Sequence, residues 1–175
     1  MLVLNREDCE LKINPAFADC LEFELHQERM RRSSAGTSIE TGADTDTAKS
    51  VNDVKEHVVS SEDCASSTPV ADPFSGGVIF SFKDPTYSFE EGGYHPVEVC
   101  INTFGKLQYV TDFAHVGRPP QVELAKELDF DFEHCCFGHM GIDYPLSDGA
   151  ELFAIFQANF VSYYQSEVFT VKLSS

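Results

Sequence analysis

The chain is short of cations. Its 175 residues carry 12 Lys plus Arg against 29 Asp plus Glu, a formal net charge of −17. Phosphate backbones are gripped by clustered lysine and arginine, so this shortage argues against direct nucleic-acid binding. It also opposes attraction to anionic membrane surfaces. The deficit is spread evenly: residues 1–73 hold 7 basic and 15 acidic side chains, and residues 74–175 hold 5 and 14. A long apolar run is lacking too. The best segment, ELFAIFQANFVSYY, is interrupted by Gln157, Asn159 and Ser162 and falls short of the roughly 20 apolar residues of a spanning helix. The opening MLVL is too short for the core of a secretory signal. These features lead us to expect a cytoplasmic protein. Its six cysteines show no framework spacing, as suits thiols in a reducing compartment.

Recognisable catalytic signatures are missing as well. Gly92-Gly93 has neither the helix nor the lysine of a phosphate-binding loop, and there is no Gly-x-Ser-x-Gly turn. Aromatics are absent between Phe23 and Phe74, whereas 19 of the 21 Phe and Tyr lie after residue 73. Aromatic rings supply the largest burial per residue, so the core is expected to come mainly from residues 74–175. Residues 33–73 are rich in Ser, Thr, Ala, Asp and Glu and bury too little to offset their ordering entropy, which predicts a disordered acidic linker. Val51, Val54 and Val58 leave room for a transient helix within it.

In residues 1–32, Asn14-Pro15 reads as an N-cap followed by proline at the first helical position. Phe17, Leu21 and Leu25 then form one apolar stripe, and Arg29, Arg31 and Arg32 suit the negative end of the helix dipole. The stripe needs a partner, so the helix is expected to dock on the aromatic domain. Beyond the linker, Val78, Phe80 and Phe82 alternate with Ile79, Ser81 and Lys83, and Val97, Val99 and Ile101 with Glu98, Cys100 and Asn102. Phe104-Gly105-Lys106 is of hairpin length, and Leu107, Tyr109, Thr111 and Phe113 continue the alternation in a returning strand. Val122, Ala125 and Leu128 suggest a short helix before a fourth strand at Asp129 to Phe132. The Phe153, Phe156, Phe160 and Tyr164 stripe predicts a helix over about 147–165, and Val168 to Leu173 a last strand. The expected class is α+β: an antiparallel sheet of about four to five strands packed against an N-terminal and a C-terminal helix.

The segments FKDPTYSFEEGGYHPVEV, QYVTDFAHVG, ELAKELDFDF and NFVSYY together resemble a small bacterial domain family of unknown function, represented partly in mobile elements. The likeness spans about residues 77–173 and, more loosely, the first helix. In that family the first helix runs to the first strand through a much shorter connection, so the linker here resembles an insertion. The resemblance implies the fold and brings no catalytic residue or cofactor.

Candidate chemistry therefore rests on the residues themselves. In EHCCFGH, His134, Cys136 and His139 offer metal-type donors, with His95 or His115 able to complete a set. The count falls short of a structural zinc site, and adjacent cysteines lack redox spacing, so the stretch is read as a strand and turn. Glu98, Asp112, Asp129 and Asp131 read as an outward acidic face near His95, with Glu98, Asp112 and His95 the candidates for acid–base work. Tyr87, Phe89 and Tyr94, on the loop after Asp84-Pro85, can form a binding rim or fold back on the sheet. Two functions follow. The preferred one is an acidic binding or regulatory module, a monomer or weak homodimer, that contacts a protein partner; in one form it is a decoy occupying the nucleic-acid-binding surface of a basic protein. The alternative is a small hydrolase or metal-assisted enzyme using the acidic face with His95 or His115.

Overall fold

The computed structural model describes Leu4, residues 10–35, Phe74 and residues 76–175. Most of the expected linker, including Val51 to Val58, lies outside the described residues. Helix α1 (Pro15–Ala35) begins where the sequence places a cap: the Ala16 N–H donates to Asn14 Oδ1 at 2.9 Å, satisfying an amide that the first turn leaves without a partner. Near its other end Glu28 receives Arg31 and Arg32 at 3.0 and 2.8 Å. The Arg32 guanidinium lies 4.6 Å above the Phe74 ring.

Six strands follow as a meander: β1 (Val78–Lys83), β2 (Val97–Ile101), β3 (Leu107–Arg118), β4 (Gln121–Asp131), β5 (Cys136–His139) and β6 (Ile142–Pro145). A 3-10 turn at Leu146–Gly149 then leads into α2 (Ala150–Gln165). This helix crosses back over the sheet and delivers β7 (Thr170–Ser174) to the far edge. The spatial order is β6-β5-β4-β3-β2-β1-β7, with every pair antiparallel. Among the described residues no helix is long and apolar enough to cross a membrane.

Three expectations need correction. Among the described residues the sheet has seven strands, not four or five. β5 falls in the EHCCFGH stretch read as a strand and turn, whereas β6 has only four residues, too few for a period to show; the two are joined by Met140 and Gly141, both at positive φ (50° and 79°), the geometry of a two-residue hairpin turn. Second, residues 122–128 are not a helix but part of β4, which pairs with β3 from Arg118↔Gln121 onward. Third, Tyr109, Thr111 and Phe113 do not share a face with Leu107. The register shifts between Cys100 and Ile101, so that Cys100 faces Tyr109 while Ile101 faces Leu107. Gln108 is the extra residue of this bulge, and it reverses the parity of everything after it.

The helix-facing side of the sheet carries Val78, Phe80, Phe82, Val97, Val99, Val110, Phe130 and Phe137, all buried. Helix α2 spans this face with one aromatic stripe: Phe153 meets Phe130 at 4.8 Å between ring centres, and Phe160 meets Phe82 at 4.8 Å. Helix α1 adds Phe17, edge-on to Phe153, Phe156 and Phe160 at 5.1–6.4 Å. Each such side chain contributes about 1.5–3 kcal/mol by leaving water. Two polar ties fix the docking: Tyr164 donates its hydroxyl to Glu24 at 2.6 Å, and the buried amide of Gln157 accepts from Asn14 N–H at 2.7 Å and donates to Lys12 O at 3.2 Å.

Candidate functional site

The loop between β1 and β2 is tied to itself before it reaches the sheet. The Asp84 carboxylate accepts the Thr86 N–H at 2.8 Å, the Thr86 hydroxyl at 2.7 Å and the Tyr94 N–H at 3.0 Å. These bonds, led by that from Tyr94, hold its pKa below the ordinary carboxylate value. Gly93 is required here: its φ is 121°, and a Cβ would stand 2.9 Å from Asp84 Oδ2 and 3.0 Å from the Tyr87 backbone. The tied loop places three aromatics differently. Tyr87 folds back, its ring stacked on His115 at 4.9 Å and angled against His95 at 5.3 Å, while its hydroxyl oxygen accepts the His115 N–H at 3.0 Å. Tyr94 leans on Tyr163 of α2 at 4.6 Å. Phe89 touches His115 edge-on at 6.4 Å and stays 42% exposed.

His95, held in this way just before β2, turns Nδ1 toward two carboxylates. Asp112 Oδ2 lies 3.1 Å away and Glu127 Oε2 3.0 Å away. A proton on Nδ1 lets that one nitrogen donate to the carboxylates it faces, and this tautomer leaves the other ring nitrogen able to accept. Both carboxylates owe their position to bulges. Past Gln108, Asp112 falls opposite Val97 and Leu128 in the helix-facing row. Its burial pushes its pKa up, with the Glu127 charge adding to this and His95 working against it. On β4 the register shifts again, so that Leu128 faces Asp112 while Lys126 faces Phe113. Glu127 is the inserted residue, and its side chain joins that of Leu128 in the same wall.

That wall belongs to a cleft of about 420 Å³ between α2 and the sheet. Leu152, Ile155, Phe156, Tyr163 and Phe169 supply its apolar side, and His95, Asp112 and Glu127 its polar cluster. Ile155 and Tyr94 are 55% and 40% exposed. Among the described residues that line it there is no Ser, Thr, Cys or Lys, so the cleft carries polar and acid–base groups without a side-chain nucleophile of those types.

The acidic set is split between the two faces. Glu98, Asp129 and Asp131 stay on the outer side with Tyr109 and Thr111. There Glu98 accepts the Tyr109 hydroxyl at 2.6 Å, and Asp129 accepts Thr111 and, at 2.7 Å, Lys126. Asp131 receives both the backbone and the ring of His134, at 2.8 and 2.9 Å. Cys136 pairs with Asp131, whereas His139 pairs with the helix-facing Leu128. Three residues apart on one strand, those two side chains point to opposite faces, and His134 is engaged with Asp131. His134, Cys136 and His139 are therefore not brought together. Burial, aided by neighbouring carboxylates, raises the pKa of the Cys100 and Cys136 thiols, which disfavours the thiolate. His95 and Asp112 do meet, and Glu127 joins them. Glu127 carries no sequence signal of its own, because the apolar spacing of Val122, Ala125 and Leu128 around it reads as a helix.

Comparison with known proteins agrees with this fold. The hypothetical protein VC0508 from the VSP-II pathogenicity island of Vibrio cholerae is 33% identical over 56% of this chain and 81% of its own, with a TM-score of 0.51. The conserved hypothetical protein VC1805 from pathogenicity island VPI-2 of Vibrio cholerae O1 biovar eltor, described as sharing structural homology with the human P32 protein, is 35% identical over 55% of this chain and 79% of its own, with a TM-score of 0.50. No curated protein matches the chain. A family model described as "Protein of unknown function (DUF2787)" matches residues 49–174, and the chain belongs to that family.

Proposed function

We propose that the protein is a non-catalytic binding module that acts on another protein by taking one of its apolar side chains into the cleft between α2 and the sheet. The observation that carries this reading is the cleft itself: about 420 Å³ walled by Leu152, Ile155, Phe156 and Tyr163, with Ile155 more than half exposed. Pockets that bind are concave and mostly apolar with a few convergent polar groups, and this one fits that description. The net charge of −17 selects a partner with a basic surface, since complementary charge steers encounter and discourages wrong partners. Two similar proteins come from pathogenicity islands, which supports a role tied to mobile elements and, within it, the decoy of a basic nucleic-acid-binding protein.

A photo-crosslinking residue in place of Ile155 tests this in living cells, with one in place of Phe104, 85% exposed at a hairpin turn, as the control. The expected result is one basic protein captured from position 155 but not from 104, and released from the unmodified module as salt rises. Equal capture at both positions, none at 155, or a partner held unchanged in high salt defeats the reading.

A second reading, a small hydrolase, is favoured by one observation: His95 is oriented by two carboxylates beside the cleft, as a general base needs to be. Turnover of any ester, amide or glycoside that is lost in His95→Gln would establish it.

A further inference from the structure

We propose that His95, Asp112 and Glu127 form a binding site for a divalent first-row metal ion at the polar side of the cleft. Their ligand atoms all lie within 4.8 Å of one another, the one such His/Cys/Asp/Glu group among the described residues. The inference does not rest on the binding-module reading, because it concerns the protein alone.

Three features support it. The first is spacing. Two donors in adjacent positions on an octahedral ion with bonds of about 2.1 Å stand about 3.0 Å apart. The Nδ1 to Oδ2 and Nδ1 to Oε2 separations are 3.1 and 3.0 Å, so a dication can replace the shared proton with little movement of the three groups. The second is the support behind each donor. His95 is packed against Tyr87, whose hydroxyl oxygen is fixed by the His115 N–H. Asp112 is 9% exposed and rooted in the central strand. The Glu127 carbonyl accepts the Met140 N–H at 2.9 Å, which anchors the bulge. Ligands held in place from behind give tight sites, and disturbing even such supporting contacts typically costs 10–100-fold in affinity. The third is charge. Two carboxylates and one imidazole neutralise a dication, whereas without it two negative charges share a partly buried corner with a single histidine.

Donor type narrows the ion. One imidazole and two carboxylates with no thiolate suit Mn²⁺ or Zn²⁺ better than a soft ion such as Cu⁺. Because all three residues line the cleft, the remaining coordination positions face the space a ligand would enter, which is the arrangement of an open site rather than a closed structural one.

The test uses the full-length, tag-free protein, stripped with chelator and then titrated with Mn²⁺, followed by the loss of the free-ion paramagnetic resonance signal, and with Zn²⁺, followed by calorimetry. A single equivalent should bind in the wild type and, unchanged, in a His134→Ala, Cys136→Ser double variant. Glu127→Gln and His95→Gln should each weaken binding at least about tenfold. Glu127, being more exposed than Asp112, gives the variant safest for folding, and a cooperative melt of each variant confirms its integrity. The proposal is overturned if neither ion binds the wild type at millimolar concentration, if either variant binds as tightly as the wild type, or if the double variant loses the ion.

Discussion

Gln157 interrupts the apolar stripe of α2, yet it is 1% exposed, and its amide holds the N-terminal segment onto the domain. Consider Gln157→Leu, similar in volume and unable to hydrogen bond. The change removes the bonds to Asn14 N–H at 2.7 Å, Lys12 O at 3.2 Å and Phe153 O at 3.3 Å. Each is worth about 1 kcal/mol net, and an amide left buried without an acceptor costs about 1–3 kcal/mol. The Phe153 bond is the weakest, since that carbonyl is also within reach of the helix's own amides. Leucine returns about 1 kcal/mol through burial. The balance is a loss of roughly 2–4 kcal/mol, or about 5–15 °C in Tm for a chain of this size. Denaturant titration of the full-length variant measures it. Limited proteolysis should show faster cutting within Pro15–Ala35, because the ties being cut join that helix's start to α2. A loss below about 0.5 kcal/mol, or faster cutting in the sheet with α1 still protected, would refute the claim that this amide clamps the N-terminal segment.

Three further outcomes are expected. Phe17→Ala, which empties a fully buried position facing Phe153, Phe156 and Phe160, should cost about 3–5 kcal/mol by denaturant titration, whereas Phe23→Ala, at a position 53% exposed, should stay within about 0.5 kcal/mol. Gly93→Ala forces a Cβ against Asp84 and Tyr87 and should cost about 1–3 kcal/mol, with chemical-shift changes at His95 in NMR spectra. The pKa of His134 is raised by its hydrogen bond to Asp131, then by that residue's charge. For Asp131, burial raises the pKa, but the His134 backbone and ring outweigh it and the net shift is downward. The histidine's contribution is thus fully present below its unfolded pKa of about 6.5 and fades as pH rises through the higher folded value; the aspartate's is present above about 3.9 and fades as pH falls through the lower one. NMR titration should show the His134 midpoint drop in Asp131→Asn, and an unmoved midpoint would disprove the pairing.

Elements whose signal is local were legible in the sequence. Asn14-Pro15 announced α1 because capping is decided by neighbouring residues, and the Phe153 to Tyr164 stripe announced α2 because four aromatics at helical spacing have one way to be buried together. The Phe104–Lys106 hairpin was equally plain. What stayed hidden depended on partners. Val122, Ala125 and Leu128 mimic a helical period in a strand that contains an inserted residue, and β6 is too short to show any period. The acidic residues look like one surface because regular alternation runs straight through Gln108. In the folded sheet that residue bulges, and Asp112 changes sides while Glu98, Asp129 and Asp131 do not.

This also explains why the site lies where it does. A regular strand presents apolar and polar residues by turns, so a carboxylate reaches the covered face only by replacing a core residue. A bulge relaxes that constraint: it places Glu127 in the wall beside Leu128, and the apolar row above and below stays intact. The ladder is also interrupted at this point. β2 begins at Val97, opposite Asp112, and the last rung beyond it is the Phe113 N–H to Pro96 O bond at 2.9 Å. Among the described residues β3 continues past that rung with β4 alone, and His95 swings in where a paired strand residue would otherwise stand. The polar cluster thus occupies the boundary between the helix-covered sheet and the two-stranded arm, where a charged group can sit next to the core while one side stays open to the cleft. Any change that restores regular pairing there, such as deletion of Glu127, should improve the strand's alternation and abolish the cluster together.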